Sequence, residues 1–465
     1  MGDPVSTTGN FAPFAARMRA ENLPDIVIRT FEHYYGLLAD GSTGLIPEKF
    51  IQPVFDLPAS EDFGEELHTA GRAALPHAVV IKLNGGLGTG MGLAKAKSLL
   101  PVKEGMSFLD IIAKQASGGG VPLVLMNSFS TQADSLAALA GKLDQGDIPL
   151  DFLQHKVPKI LQDSLEPAIW PKDPTVEWCP PGHGDIYTAL VTSGLLDRLL
   201  GAGYRYAFVS NSDNLGAVMD EGLLGYFAQH ELPFMMEVAP RTEADKKGGH
   251  LAQLLNGQLL LRESAQCAPE DEASFQNIRR HAFFNTNNLW VNLGALQALL
   301  AEKDGILGLA MIRNAKTLDP RDRTSPPVYQ LETAMGSAIE IFPGSGAVVI
   351  PPARFAPIKK TNDLLDVRSD NYVLTGDHRV IANPERTLPR AFIDLDPEYF
   401  QFVDDFDARF PHGAPSLLEC SRLVVRGDVR FGRNVVCRGE VEIVNESGAQ
   451  VVIQDGRVLE GRVEF

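Results

Sequence analysis

Between Val80 and Lys103 the chain reads VIKLNGGLGTGMGLAKAKSLLPVK, with five glycines in the eight positions 85–92 and lysines at 95, 97 and 103. Glycines this dense after an apolar run let the backbone turn its N–H groups inward, which is how phosphate-binding loops are built. The stretch lacks the Gly-Lys-Ser/Thr of a P-loop, and Met91 stands where a dinucleotide fingerprint needs its third glycine. We read it as a loop closing on a helix N-terminus and offering N–H groups to an anion, with Lys97 and Lys103 adding point charge. A tight strand–helix turn with no ligand is the alternative.

Other stretches could also do chemistry. VSNSDN puts Asp213 just past a strand-type run, where open α/β sheets bind ligands. ARFAPIKKTNDLL carries Lys359 and Lys360 side by side; without further context such a pair is a solvated surface feature. In CPPGHGD, His183 can donate to a phosphate or satisfy a local carbonyl. FFNTNNLW gathers Asn285, Asn287 and Asn288, amides suited to sugar hydroxyls but also common in turns.

These residues need a frame. AVVIKL, VPLVLMN, YRYAFVSN and LPFMMEVA are short β-type runs, and GDIYTALVTSGLLDRLL between two of them reads as a helix. Strands alternating with helices predict an α/β sheet with crossover connections. Before residue 75 the apolar spacing of FAPFAARMRA and PDIVIRTFEHYYGLLADG is helical, with Gly41 as a stop, so this whole segment reads as helical. Near the C-terminus, Val425, Phe431, Cys437 and Ile443 recur every six residues, as do Val429, Val435 and Val441. That period fits coils of a parallel β-helix, with a small antiparallel meander as the alternative. RAFIDLDPEYFQFVDDFDARFPHG before it reads as a linker. The expected division is 1–75, 76–385 and 386–465.

The totals set bounds. At 465 residues and net charge −17, the chain has room for two to four domains and lacks the basic footprint that nucleic acid requires. A few lysines in a cleft can still draw in an anionic substrate. Cys179, Cys267, Cys420 and Cys437 are far apart and suggest neither a disulfide framework nor a zinc site. Gly2 and Ser6 match the loose myristoylation pattern, with Pro4 close behind, and the pattern is common by chance. There is no signal-type N-terminus and no apolar run of membrane-spanning length, so the chain is expected to be cytoplasmic, with no membrane partner.

Seven stretches in order, LNGGLGTGMG with AKS, PLVLMNS, PPGHGD, VSNSDNLGA, KGG, FNTNNLW and PIKKTNDLL, closely resemble the UTP–glucose-1-phosphate uridylyltransferases of eukaryotic type. The resemblance spans nearly the whole chain. It implies a Rossmann-like nucleotidyltransferase core with a mixed sheet, an N-terminal helical segment and a C-terminal left-handed parallel β-helix. It also implies Mg²⁺ as cofactor, UTP and glucose 1-phosphate as substrates, and UDP-glucose and pyrophosphate as products. Residue by residue it assigns Asp213 to the metal, Lys359 and Lys97 to catalysis on the phosphates, and Leu83, Gly85, Gly86, Gln154, Gly182 and Asn211 to the nucleotide. His183, Gly248, Glu263, Asn285 and Asn287 fall on the sugar-phosphate side. Many relatives read Gly-Pro-Lys-Ser where this chain has Lys95-Ala96-Lys97-Ser98. Another sugar 1-phosphate, such as that of galactose or N-acetylglucosamine, or a non-catalytic nucleotide-sugar binder that assembles through its β-helix, are the competing readings. The chain stops at VLEGRVEF, short of the tail of relatives that form large assemblies, and a monomer or weak homodimer is expected.

Overall fold

The computed structural model describes residues 8–465; the Gly2/Ser6 pattern lies outside them. A ten-stranded mixed sheet forms the centre. Its strands are β1 (Ile51–Pro53), β2 (Ala78–Asn84), β3 (Leu123–Asn127), β4 (Asp151–Leu153), β5 (Tyr206–Asn211), β6 (Phe234–Pro240), β7 (His250–Leu254), β8 (Leu259–Arg262), β9 (Phe283–Asn292) and β10 (Gly346–Val349). The order along the sheet is β1-β7-β9-β5-β2-β3-β4, with β6 pairing β9 and β10 and β8 pairing β7. β5, β2, β3 and β4 are mutually parallel.

Parallel strands are covered on both faces, which is why AVVIKL is almost uninterrupted in apolar residues. Val79 and Ile81 point into one core with Val124, Val209 and the helices Ile186–Thr192 and Leu195–Gly201. Val80 points the other way, with Leu123, Phe208 and the helix Phe108–Gly118. The chain runs from β2 outward to β3 and β4, then returns to place β5 on β2's other side. Strand order therefore reverses between β2 and β5, and ligands of open α/β sheets bind at the C-terminal ends of such a pair. The glycine loop leaves β2 and Asp213 follows β5, so both sit at that switch point.

Four expectations need correction. The N-terminal segment is helical over Thr8–Ala20 and Asp25–Ala39 and again over Glu65–Ala74, but not between. Pro47, Pro53 and Pro58 interrupt that stretch, and its Ile51–Pro53 becomes the sheet's edge strand, where proline is tolerated. GDIYTALVTSGLLDRLL is two helices, because Gly194 takes a left-handed conformation (φ 71°). The glycine loop opens no α-helix; it passes through single turns at Thr89–Met91 and Lys97–Leu99, and the next helix begins at Phe108. The stretch read as a linker is structured: Phe392–Leu395 is a strand, followed by helices Pro397–Phe400 and Val403–Arg409.

All seven residues of the six-residue period are buried. Phe392–Leu395, Ser416–Arg426, Val436–Val444 and Val458–Glu464 form one parallel sheet, in which Leu395, Val425, Ile443 and Val463 align in a column. Val429–Phe431 and Val451–Ile453 form a second parallel pair. Parallel register excludes the antiparallel meander. The apolar residues of these parallel sheets are continuous with the core under β2 and β3.

Candidate active site

The glycine loop folds back on itself through the Lys97 N–H, which donates to Gly86 O at 3.1 Å. This carries the Lys97 side chain across the switch point, where Nζ donates to Asp213 Oδ2 at 2.7 Å. The other carboxylate oxygen, Oδ1, is buried with no hydrogen-bond partner among the described residues. Lys103 goes elsewhere. Its Nζ donates to Val367 O and Ser369 O at 3.0 and 2.6 Å, satisfying carbonyls at the end of the helix Thr361–Arg368, so it adds no charge to the loop. This corrects the expectation for that lysine.

Leu83 and Asn211 pair across β2 and β5, and Leu83 O accepts from Ser212 N at 3.1 Å, so both stand beside Asp213. On the opposite flank, Gln154 Nε2 donates to Gly182 O at 3.0 Å. A Cβ at Gly85 would lie 3.0 Å from Gln154 Oε1, so the backbone of Gly85 runs directly against this amide. Gly182 needs to be glycine for two reasons: its φ is +81°, and a Cβ there would lie 2.4 Å from Thr333 O. The next residue, His183, accepts the Met335 N–H on Nδ1 at 2.9 Å. Burial pushes its imidazole down to about 4, so the ring is neutral with its proton on Nε2.

The amide cluster is produced by a bulge. Val238 pairs with Asn285 and Glu237 with Asn288, leaving Thr286 and Asn287 looped out of β9. Asn287 is left-handed (φ 59°). Asn285 Nδ2 donates to Asn287 Oδ1 and Asn287 N to Asn285 Oδ1, each at 2.9 Å. Asn285 N also donates to Gly249 O at 3.1 Å. Glu263 packs on the same glycine, where a Cβ would come within 2.4 Å of its Oε2; Gly248, one residue earlier, lies outside that contact. Burial pushes the Glu263 carboxyl up, against the Asn285 hydrogen bond and the Lys359 charge that pull it down. The charge of Lys359 thus reaches Glu263. The N–H groups of both Lys359 and Lys360 donate to Asp363 Oδ2, at 2.9 and 3.0 Å, and both side chains are exposed. They line a cleft of about 310 Å³ with Gly90, Met91, Asp394 and Gln401.

Sequence reasoning missed a buried polar layer beneath these loops. Lys82 on β2 is 2% exposed and donates to Ser210 Oγ and Ala217 O at 2.7 and 2.6 Å. Burial brings its ammonium down to about 7. Glu237, fully buried, takes two hydrogen bonds from Arg354, at 3.0 and 2.8 Å, and one from Trp290 Nε1 at 2.9 Å. A lone Lys in AVVIKL and a lone Glu in LPFMMEVA were the available signals; their partners lie far away in sequence.

The loops leaving β2 and β5 thus bring together a glycine-rich backbone, Lys97 and Asp213 at a topological switch point, with the Gln154–Gly182 contact on the β4 side and the Asn285–Asn287 amides and Glu263 on the β9 side. That is the layout of an α/β enzyme transferring a phosphorylated nucleotide. The family model described as UTP--glucose-1-phosphate uridylyltransferase matches residues 36–438. The enzyme of that name from Solanum tuberosum is 41% identical over 411 residues, which is 86% of this chain and 83% of the relative. A variant of UDP-glucose pyrophosphorylase from Leishmania major, solved in complex with UDP-glucose, superposes with a TM-score of 0.91 at 43% identity, covering 99% of this chain and 100% of that one. The UDP-glucose phosphorylase structure from Trypanosoma brucei gives 0.87 at 47% identity over 98% and 100%. The chain belongs to the UTP–glucose-1-phosphate uridylyltransferase family.

Proposed function

We propose that the protein catalyses UTP + glucose 1-phosphate ⇌ UDP-glucose + pyrophosphate. Family membership supports this, as does a 43% identical relative solved with UDP-glucose. The observation that carries it is the Lys97–Asp213 pair at the β2/β5 switch point, with Gln154 on one flank and Asn285 and Glu263 on the other.

In the forward direction a phosphate oxygen of glucose 1-phosphate bonds to the α-phosphorus of UTP. The bond from that phosphorus to the oxygen bridging to the β-phosphate breaks, and pyrophosphate leaves with the electron pair. Two anions must meet, so charge must be neutralised and geometry fixed first. Gln154 and the backbone at Gly85 and Gly182 hold the uracil, since an amide presents both donor and acceptor. Gly86 and Lys97 hold the phosphates, with Leu83 and Asn211 walling the same end. Neutral His183 donates from Nε2 toward the sugar phosphate, and Gly248, Glu263, Asn285 and Asn287 line the sugar. Lys359 places its ammonium beside the transferring phosphate.

Asp213 suits Mg²⁺. Its Oδ1 is buried and unpartnered, and Mg²⁺ takes few carboxylates, filling its shell with phosphate and water oxygens. When bound, the ion would neutralise and align the two phosphate groups.

Within this reading the chain divides at 1–75, 76–385 and 386–465, the C-terminal coils are a left-handed parallel β-helix, and the protein works in the cytoplasm as a monomer or weak dimer. Parallel coil stacking supports the second point. Among the described residues no helix is long and apolar enough to cross a membrane. The test is a panel of sugar 1-phosphates with UTP and Mg²⁺, following pyrophosphate. Glucose 1-phosphate should react fastest; a faster galactose or N-acetylglucosamine substrate would reassign the sugar.

A further inference from the structure

We infer that Asn214 is a positioning residue whose amide joins the loop carrying Asp213 to the loop carrying Lys359, so that the two present themselves to the phosphates as one unit. Asn214 is 1% exposed, and all four of its hydrogen-bonding valences are used. Nδ2 donates to Arg354 O at 3.0 Å and to Asn288 Oδ1 at 3.3 Å. Oδ1 accepts from Gly216 N at 3.2 Å and from Ala356 N at 3.1 Å. Gly216 belongs to Asn214's own loop, whereas Arg354 and Ala356 lead into Lys359. A backbone bond closes the joint beside it: Ile358 N donates to Asp213 O at 3.1 Å, so each loop holds a residue next to the other's functional side chain.

The joint stands on fixed ground. Lys82 holds Ser210 and Ala217, the two ends of the Asp213 loop. Arg354 is held by buried Glu237, which also takes the Asn288 amide at 3.0 Å. Only a planar amide supplies two donors and a two-fold acceptor at one point, and a fully satisfied buried network of this kind fixes one arrangement. The two loops come from β5 and from the segment after β10, 140 residues apart, and the amide–carbonyl bond between Asn214 and Arg354 spans that separation. The catalytic consequence rests on the uridylyltransferase reading above; the mechanical joint does not.

The test begins with amide hydrogen exchange on the unaltered full-length chain. Gly216, Ala356 and Ile358 should exchange with one common opening free energy, as a cooperative unit does. In Asn214→Ala, Ile358 should lose protection by about tenfold or more although its own partner is Asp213, while the β2 amides keep theirs. Should the alanine variant fold poorly, Asn214→Asp retains the acceptor for Gly216 and Ala356 and loses both donors, and the same shift is expected in smaller degree. In kinetics, Asn214→Ala should lower kcat about tenfold or more with UTP affinity nearly unchanged, yet cost less than about threefold when added to Lys359→Ala, because coupled residues are non-additive. Independent exchange of the three amides, or a full multiplicative loss in the double variant, overturns the joint. An unaltered chain that makes no UDP-glucose would instead overturn the proposed function, and the exchange data would still decide the joint.

Discussion

Lys97 and Asp213 form an ion pair, Nζ to Oδ2 at 2.7 Å, between a loop that leaves β2 and a loop that leaves β5. The cation that would serve a phosphate and the carboxylate that would serve a metal thus hold one another at the switch point. Both side chains are mostly buried, at 15% and 20% exposure, so each is pre-positioned. Asp213→Ala should lower turnover on the order of 10²–10³-fold, the scale for removing one strong electrostatic stabiliser. Mn²⁺ binding in the presence of UTP, followed by electron paramagnetic resonance, should weaken in parallel. Unchanged turnover with the fold intact would remove Asp213 from the metal.

The two adjacent lysines should behave differently. Lys359 lies in the field of Glu263 and, with Lys360, lines the cleft beside Gly90 and Met91. An interaction stronger in the transition state than in the ground state changes kcat more than affinity. Lys359→Ala should therefore cut turnover by roughly 10²–10³-fold with UTP binding by calorimetry little altered. Lys360→Ala should be mild. The reverse ranking would mean the neighbouring lysine acts on the phosphate.

Base choice should depend on the Gln154 amide, which the Gly182 carbonyl and the Gly85 backbone hold in place. Leaving a buried partner unmatched costs about 1–3 kcal/mol, so Gln154→Ala should raise KM for UTP by roughly 10–100-fold and narrow the preference over ATP. UTP should react far faster than ATP or GTP with the unaltered chain. Equal rates would show that this amide does not read the base.

His183 should stay neutral well below the usual imidazole range, because burial lowers its folded value to about 4 from 6.5. The sign follows from linkage: as pH falls from about 6.5 toward 4, the unfolded chain takes up this proton and the folded one does not. His183 therefore withdraws stability across that window and is silent above it. Nitrogen-15 NMR should find the Nε2-protonated neutral tautomer at pH 6, and His183→Asn should flatten part of the acid limb of a stability–pH curve. An imidazolium signal at pH 6 would contradict the Met335 N–H to Nδ1 geometry.

Much of this site could be read from residues in order. Glycine density after AVVIKL marked the loop at the end of β2, VSNSDN marked the end of β5, and a six-residue period marked strands that pair in parallel register. What stayed hidden depends on contacts distant in sequence. Lys103 looks like a phosphate cation beside the loop, yet it is drawn to the carbonyls of Val367 and Ser369. Ile51–Pro53 reads as helical only by extension from its flanks; it becomes a strand because β7 offers an edge. Glu237 and Arg354 lie 117 positions apart, so neither predicts the other. Gly249 is indistinguishable from Gly248 in KGG, because only the fold brings Glu263 against its backbone.

The reaction turns on attack at the α-phosphorus of UTP by the phosphate of glucose 1-phosphate. It is tested most directly with UTP labelled separately at the α- and γ-phosphates, in the presence of glucose 1-phosphate and Mg²⁺. All α-label should appear in UDP-glucose and all γ-label in pyrophosphate, formed in equal amounts. Gamma-label in a sugar product, or release of inorganic phosphate in place of pyrophosphate, would contradict it.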